Sequence, residues 1–367
     1  MFPDLIFDFV LEQLADEIQQ QPTPSFDPLP TDSWIARSVM QKAIRRGMVD
    51  LACRAAAQLL LIDPRTLWRR LLVTALEDLG PAEVDTTARI VAAWRDRKWR
   101  NQVGGDWPVT AELVRRSAEA IKCQSANDLW NIALHDLTLT STKAALCERD
   151  EPDILDVAVT PGDVGAQAVA TLIALGQDVG CSAPPLDRRA VSKLFDVFEA
   201  SGRFSHVVGI YREAHRLTNV SLAPLSLCLW PHQQALQSVA RDQLATSWIN
   251  GIPSFALDQY TRIGKAAIRC YALQSQDWRD FCDAHSIPAK LRTAAAGEVL
   301  FRVEGAAVAQ RRIDNHSVAL LTRSAPLGCF MQPEAVASAK ALIRRQLPLI
   351  DDIRRALLPS SGKAPAP

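Results

Sequence analysis

The chain has 367 residues, of which 48% are hydrophobic, so it is long and apolar enough to form more than one core. Lysine and arginine number 41, and aspartate and glutamate also number 41, so no overall charge would attract the chain to nucleic acid or to an anionic membrane. Any such binding has to come from a local patch. No apolar run approaches the roughly 20 residues that span a bilayer. The first residues lack a positively charged leader, and we therefore expect a cytoplasmic protein.

The first 32 residues predict a helix followed by an extended linker. Ile6, Val10, Leu14 and Ile18 recur at four-residue spacing, which is typical of one face of an amphipathic helix. Four prolines between residues 22 and 30 then disfavour helix and predict a semi-rigid linker. The helix is expected to dock on another surface. The pattern leaves open whether that surface belongs to the same chain.

Helix signals continue from Ser33 almost to the end, while strand signals are nearly absent. Gly47 is placed to cap one helix in the left-handed conformation, and Asp63 is placed to cap the start of another. The helical periodicity fades between about residues 138 and 161, which indicates a domain boundary. The sequence therefore predicts an all-α fold, either a multi-helix bundle or an irregular helical array. Two helical domains are expected at residues 33–150 and 151–358, followed by a disordered tail at 359–367.

Residue patterns of common enzyme classes are missing from the sequence. The eight cysteines are scattered, and we expect them to be reduced and mostly buried. Cys270, Cys282 and His285 lack the spacing of a structural zinc site, and the sequence contains no Gly-x-Ser-x-Gly motif. We therefore expect a non-catalytic protein without a metal or other cofactor.

The segment from Asp63 to Asp85, DPRTLWRRLLVTALEDLGPAEVD, combines an apolar helix face with two charged pairs. Arg69 and Arg70 stand about two turns before Glu77 and Asp78, too far to pair within one helix. The four charges must therefore find partners outside their own helix, and we expect them to organise an interface.

This segment resembles the helical C-terminal assembly region of a family of clamp-loader-like AAA+ ATPases, the replication-associated recombination protein A and Werner-helicase-interacting proteins. The residues that match the family pattern in order are Arg69, Arg70, Leu71, Ala75, Glu77, Asp78, Leu79, Gly80, Ala82 and Glu83. The similarity covers roughly residues 33–91. It implies a helical module that associates with itself and supports work at stalled replication forks.

The ATPase activity of that family is not implied, because the chain has no glycine-rich phosphate loop. The tetrapeptide SSGK at residues 360–363 lies in the tail, with no strand before it and no helix after it. We therefore expect an oligomerising or scaffolding protein associated with DNA replication, repair or mobile-element machinery. Its expected partners are further copies of itself and proteins of that machinery.

A second candidate region alternates cations with aromatic residues. Its members are Trp94, Arg95, Arg97, Lys98, Trp99, Arg100 and Trp107. Cations can hold phosphates while indole rings stack on unpaired bases, so direct binding of single-stranded nucleic acid is an alternative function. The same residues also suit a structural role or a protein-partner surface, because cations are favoured near a helix C terminus and tryptophans often anchor loops.

A third candidate is a polar cluster in the second half, formed by Asp258, Tyr260, Arg262 and Lys265. It would support a second alternative, an enzyme with its site in this region, although Asp258 and Arg262 also make an ordinary helical pair. Arginine doublets such as Arg45-Arg46 and Arg354-Arg355 are interpreted as solvated helix faces or as ion pairs between helices.

Overall fold

The structure is a computed structural model that describes residues 2–180, 190–202, 204–242 and 246–358. Nearly all regular structure in these residues is helical, which confirms the predicted all-α array. The predicted disordered tail at 359–367 lies outside the described residues.

The described helices follow one another with short connections. In chain order they are α1 Phe2–Gln20, α2 Ser33–Arg45, α3 Val49–Ile62, α4 Pro64–Thr74, α5 Val84–Arg95, α6 Arg97–Gln102, α7 Asp106–Glu119, α8 Ser125–His135, α9 Thr140–Cys147, α10 Glu151–Val159, α11 Val164–Ala174, α12 Ala190–Ala200, α13 Ser205–Thr218, α14 Leu222–Leu229, α15 Arg262–Gln274, α16 Gln276–Ala284, α17 Arg292–Leu300, α18 Asn315–Ser324 and α19 Ala335–Leu357.

Shorter elements complete the regular structure. Two π-helical turns are Ala75–Leu79 and Phe301–Gly305, and the 3-10 turns are Gly80–Glu83, Leu137–Leu139, Trp230–His232, Ser254–Ala256 and Ala289–Leu291. Four short strands are β1 Ser238–Ala240, β2 Trp248–Ile249, β3 Ile252–Pro253 and β4 Arg311–Ile313. They form two antiparallel pairs, β1 with β4 and β2 with β3.

The chain divides into two compact units, each assembled from three segments. Unit 1 comprises Met1–Pro24, Trp68–Ala240 and Arg311–Leu327, and unit 2 comprises Ser25–Leu67, Arg241–Gln310 and Gly328–Pro367. The sequence-based division into consecutive domains does not match these units. The boundary expected near residue 150 separates α9 from α10, which both lie in unit 1, because the faded periodicity there reflects short helices and not a linker.

In unit 1, α1 packs against α5, α7 and α13. Val10 and Leu14 are buried in this packing and Ile6 and Ile18 are half-buried, so the face that the sequence predicted for docking is the one that docks, on the chain's own helices. A second group in this unit consists of α8, α11, α14 and α18. Beside it the rings of His232 and His316 stack, with centroids 5.0 Å apart and planes within 8° of parallel.

In unit 2, α2 packs against α3, and α19 packs against α15 and α17. Gly47 ends the first of these helices with φ of 67°, as predicted. Trp278 is fully buried in the core between α15, α16, α17 and α19, and its Nε1 donates to the carbonyl oxygen of Arg292 at 3.2 Å. Ile343 and Leu300 contribute to the same core.

The cysteines differ from the sequence-based expectation at one position. Six described cysteines are free, at 53, 123, 228, 270, 282 and 329. Cys147 at the end of α9 is disulfide-bonded, so the expectation that all cysteines are reduced is wrong there. Because disulfides persist mainly in oxidising compartments, the cysteines no longer support a cytoplasmic location.

Candidate interaction surfaces

The charged segment that resembles the ATPase family begins with the predicted helix cap and ends in a π turn that was not predicted. The carboxylate of Asp63 accepts the backbone N–H of Thr66 at 3.1 Å and so caps α4. The helix then widens into the π turn Ala75–Leu79. Such turns are rare inside helices and often mark functional positions. Glu77 and Asp78 both lie in this turn.

Asp78 is completely buried in unit 1 and bonded to residues of that unit. Its Oδ1 accepts from Nε2 of Gln124 at 2.8 Å, and Oε1 of Gln124 accepts from Nη1 of Arg311 at 2.8 Å. Lys122 lies nearby, with burial lowering its pKa to about 8 against the opposing attraction of Asp78 and Glu83. Gln124 thus meets Asp78 from outside the helix of Asp78 but from the same unit.

The other three charges of the segment are more accessible. Arg69 is exposed, and its Nη2 donates at 3.0 Å to the carbonyl oxygen of Thr218, the last residue of α13, where the helix dipole favours a cation. Arg70 and Glu77 are half-buried, and each takes part in an interaction. Arg69 therefore links the opening segment to α13 within unit 1.

Gly80 is required by the backbone where the π turn ends. Its φ is 57°, and a Cβ atom there would lie 2.3 Å from the carbonyl oxygen of Cys123. The close approach is fixed by the backbone hydrogen bond from Cys123 N to Asp78 O, 2.8 Å long. The glycine that follows the π turn is therefore also a packing contact.

The cationic and aromatic residues around α6 divide into engaged and exposed groups. Arg100 is buried, donates to Asp106 Oδ1 at 2.6 Å and stacks over Trp68, so it has a structural role. Arg95 pairs with Glu213 at 3.2 Å. The remaining two cations, Arg97 and Lys98, are exposed.

No ion pair or hydrogen bond links the side chains of Arg97 and Lys98 to any other residue that the structure describes. Trp94 and Trp99 are half-buried beside them, and Trp107 donates from Nε1 to the carbonyl oxygen of Pro24 at 2.8 Å. Fewer residues of this region are therefore available to contact a partner than the sequence predicted.

The exposed side of α1 is both apolar and acidic. Leu5 and Phe9 are among the exposed large hydrophobic side chains of unit 1. They alternate with the exposed acids Asp8, Glu12 and Asp16. One face of this helix therefore serves the core while the other presents two apolar side chains among carboxylates.

The polar cluster predicted near α15 is not one site. Asp258 is 1% exposed and forms an ion pair with Lys42, which is 4% exposed, at 3.0 Å. Its Oδ1 also accepts the backbone N–H of Tyr260 at 3.1 Å. Tyr260, Arg262 and Lys265 are instead exposed. The structure thus assigns Asp258 to the interior and the other three residues to the surface.

The Lys42–Asp258 pair is one part of a buried charge network that sequence reasoning missed. Arg45 and Arg46 are both buried, although the doublet was interpreted as a solvated face or an ion pair. Arg45 donates to Gly305 O at 2.6 Å and Arg46 donates to Glu304 O at 2.7 Å. Burial lowers the pKa of Arg46 to about 10, against the attraction of Glu304.

Arg354 of α19 completes this network. Its guanidinium is fully buried and contacts Glu304 Oε2 at 2.9 Å and Asp351 Oδ1 at 2.8 Å. Arg355, the other member of the doublet, is exposed and pairs with Asp352. No local signal marked this burial, because Gln41, Lys42 and Arg45 share one polar face of α2, and such a face usually meets solvent.

The described residues contain neither a metal-binding cluster nor a membrane-spanning helix. No group of three or more histidine, cysteine, aspartate or glutamate side chains in them could hold a metal ion. None of their helices is both long enough and apolar enough to cross a membrane.

Comparisons of the chain with protein-family models, with curated proteins and with solved structures found no match. The resemblance of residues 33–91 to the ATPase assembly region therefore stays an inference from sequence pattern.

Proposed function

We propose that the chain is a non-catalytic, oligomerising protein whose copies associate through the exposed face of α1. The observation that supports this most strongly is the exposure of Leu5 and Phe9 on a helix whose opposite face is already packed. Exposed apolar side chains that are rimmed by polar residues are typical of protein interfaces.

Charge complementarity indicates which surface of the second copy the exposed face of α1 contacts. Asp8, Glu12 and Asp16 make the exposed face of α1 acidic, while Arg97 and Lys98 make α6 basic. In a dimer with two-fold symmetry each copy can offer both surfaces, so that two equivalent contacts form. Trp99 of α6 would supply the aromatic contact that such interfaces favour.

The association with DNA replication, repair or mobile-element machinery is proposed from the resemblance at residues 33–91. In this proposal Arg69 and Asp78 act by fixing the shape of unit 1, through Thr218 and Gln124. Arg70 and Glu77, which are both half-buried, remain proposed interface residues.

Light scattering after size-exclusion chromatography tests the assembly directly. The wild-type chain should have a mass of two or more copies, and the double variant Leu5→Glu/Phe9→Glu should be monomeric. Leu137→Glu is the matched control, because Leu137 is an exposed leucine of the same unit outside the proposed surface. A monomeric wild-type chain would refute the proposal.

A charge exchange tests the opposing surface. Asp8→Arg/Asp16→Arg should weaken assembly, as should Arg97→Glu/Lys98→Glu. In the mixed dimer both contacts pair opposite charges again, so mixing the two variants should restore assembly. If mixing restores nothing, α6 is not the surface that α1 contacts.

A second candidate function is direct binding of single-stranded nucleic acid by α6, which the accessible cations Arg97 and Lys98 favour. Affinity for a labelled oligonucleotide, measured at several salt concentrations, tests it. Binding through phosphates weakens steeply as salt rises. If Arg97→Ala/Lys98→Ala leaves affinity and its salt dependence unchanged, α6 does not bind nucleic acid.

A further inference from the structure

Two helix N termini of unit 2 meet at an exposed tryptophan. Trp34 is the second residue of α2 and is 44% exposed. The guanidinium carbon of Arg37, one turn later, lies 4.1 Å from the centre of its ring. The guanidinium carbon of Arg262, the first residue of α15, lies 5.9 Å from the same ring. The N-terminal residues of α2 and α15, at the positive ends of the helix dipoles, therefore lie close to this ring.

A second aromatic ring belongs to the same region of unit 2. Tyr260 is 56% exposed, and its ring meets Phe301 edge to face, with centroids 5.4 Å apart and planes at 88°. The backbone N–H of Tyr260 donates to the buried carboxylate of Asp258. The ring is thus held in place from inside the unit while more than half of the residue remains accessible.

The charge around the two rings is positive. Arg262 and Lys265 are exposed, and Arg37 is half-buried. Asp258 adds no net negative charge because its ion pair with Lys42 is buried. The surface can therefore attract an anion, most strongly at low salt.

Two carboxylates close to this surface are engaged in helix caps. Asp32 accepts the backbone N–H groups of Trp34 and Ile35 at 2.8 and 2.9 Å. Asp63 accepts from Thr66, and this hydrogen bond lowers its pKa, with Arg37 adding to the shift. Both caps hold their carboxylates toward the backbone, so they offset the positive field only in part.

We propose that this surface, formed by Trp34, Tyr260, Arg37, Arg262 and Lys265, binds single-stranded nucleic acid. Arg262 and Lys265 contact phosphates, and unpaired bases stack on Trp34 and Tyr260. Stacking on exposed aromatic rings combined with cations that follow the backbone is how proteins bind single strands without sequence preference. This goes beyond the proposed assembly function, and it assigns nucleic acid to residues of unit 2 and not to α6.

A base can reach the Trp34 ring when the side chain of Arg262 turns away from it. Arg262 is exposed and farther from the ring than Arg37, and a long side chain at the first position of a helix can turn toward solvent. A base then takes its place over the ring while the guanidinium pairs with the adjoining phosphate.

Fluorescence anisotropy of the full chain with labelled oligo-dT of 20 nucleotides tests the proposal. Trp34→Ala and Tyr260→Ala should each weaken binding by about 5- to 150-fold, the range for loss of one stacking contact. Arg262→Ala/Lys265→Ala should weaken binding and reduce its salt dependence.

The matched controls are Trp248→Ala, an exposed tryptophan of unit 2, and Arg344→Ala/Arg345→Ala, two exposed cations of α19. Both should bind as the wild type does. A blunt duplex of the same length should bind less tightly than the single strand, because its bases are not free to stack.

Unchanged affinity in the Trp34 and Tyr260 variants overturns the proposal, as does an equal loss in the Trp248 control. Binding of polyglutamate with the same dependence on Trp34 and Arg262 also overturns it, and assigns the surface to an acidic protein. The assembly mass measured on the same samples keeps this outcome separate from failure of the proposed oligomer, which depends on Leu5 and Phe9.

Discussion

Replacing Lys42 with methionine should destabilise unit 2 in a pH-dependent way. The ammonium group of Lys42 lies 3.0 Å from Oδ2 of Asp258, and neither side chain is more than 4% exposed. Methionine keeps most of the side-chain volume and removes the charge. The carboxylate then retains the backbone N–H of Tyr260 but has lost its counterion.

The size of the effect follows from the cost of a buried, unpaired charge. Removing one partner of a buried ion pair costs about 3–5 kcal/mol. The carboxyl group can instead take up a proton, which for an ordinary aspartate costs about 4 kcal/mol at pH 7 and about 1.5 kcal/mol at pH 5. Protonation therefore limits the loss, and we expect about 3–4 kcal/mol at pH 7 and roughly half of that or less at pH 5.

Urea-induced unfolding followed by circular dichroism measures the loss in free energy at the two pH values. The double variant Lys42→Met/Asp258→Asn removes both charges and keeps an acceptor for the Tyr260 amide, so it should lose less stability at pH 7 than Lys42→Met alone. The reasoning is wrong if Lys42→Met is as stable as the wild type at pH 7. It is also wrong if the deficit does not shrink at pH 5.

Three further predictions use the same measurement. Gly264→Ala should cost more than about 4 kcal/mol, because a Cβ atom there would lie 1.8 Å from the carbonyl oxygen of Asp258; a mild loss would show that the turn can relax. Burial lowers the pKa of Lys122 to about 8, so the unfolded chain binds this proton more tightly than the folded chain does. Between pH 8 and 10 the wild type should therefore gain stability relative to Lys122→Met. A constant difference in stability over this range would contradict the prediction. Burial and the neighbouring His232 lower the pKa of His316. Acidification from pH 7 to 5 should therefore destabilise the wild type more than His316→Gln. Equal losses in the two proteins would show that the stacked histidines do not cause the acid destabilisation.

Features that depend on a few neighbouring residues were predictable from the sequence. The cap at Asp63, the left-handed Gly47 and the buried face of α1 all follow from local hydrogen bonds and periodicity. The π turn Ala75–Leu79 was not predictable in this way. Its residues are ordinary helix formers, and the change of winding coincides with the backbone hydrogen bond between Asp78 and Cys123, 45 residues later.

The division into units and the buried charge network were missed for a related reason. Arg354 and Arg355 are neighbours on α19, and acids lie close to both in the sequence. Only the structure separates the buried guanidinium from the exposed one, because Arg354 meets Glu304, which lies 50 residues away in the chain. Periodicity indicates which face of a helix is apolar but not which helix packs against it.

The interleaving of the two units constrains how this protein is made. The chain passes from one unit to the other after residues 24, 67, 240, 310 and 327. Neither unit can be expressed as one uninterrupted fragment, so a truncation at residue 150 should yield an aggregating product instead of a soluble domain. On the ribosome, unit 1 cannot close until α18 has been synthesised, and unit 2 cannot close until α19 has been synthesised. Each unit therefore lacks its last helix until long after its first helix has been made, and the early helices depend on chaperones or on transient contacts until then.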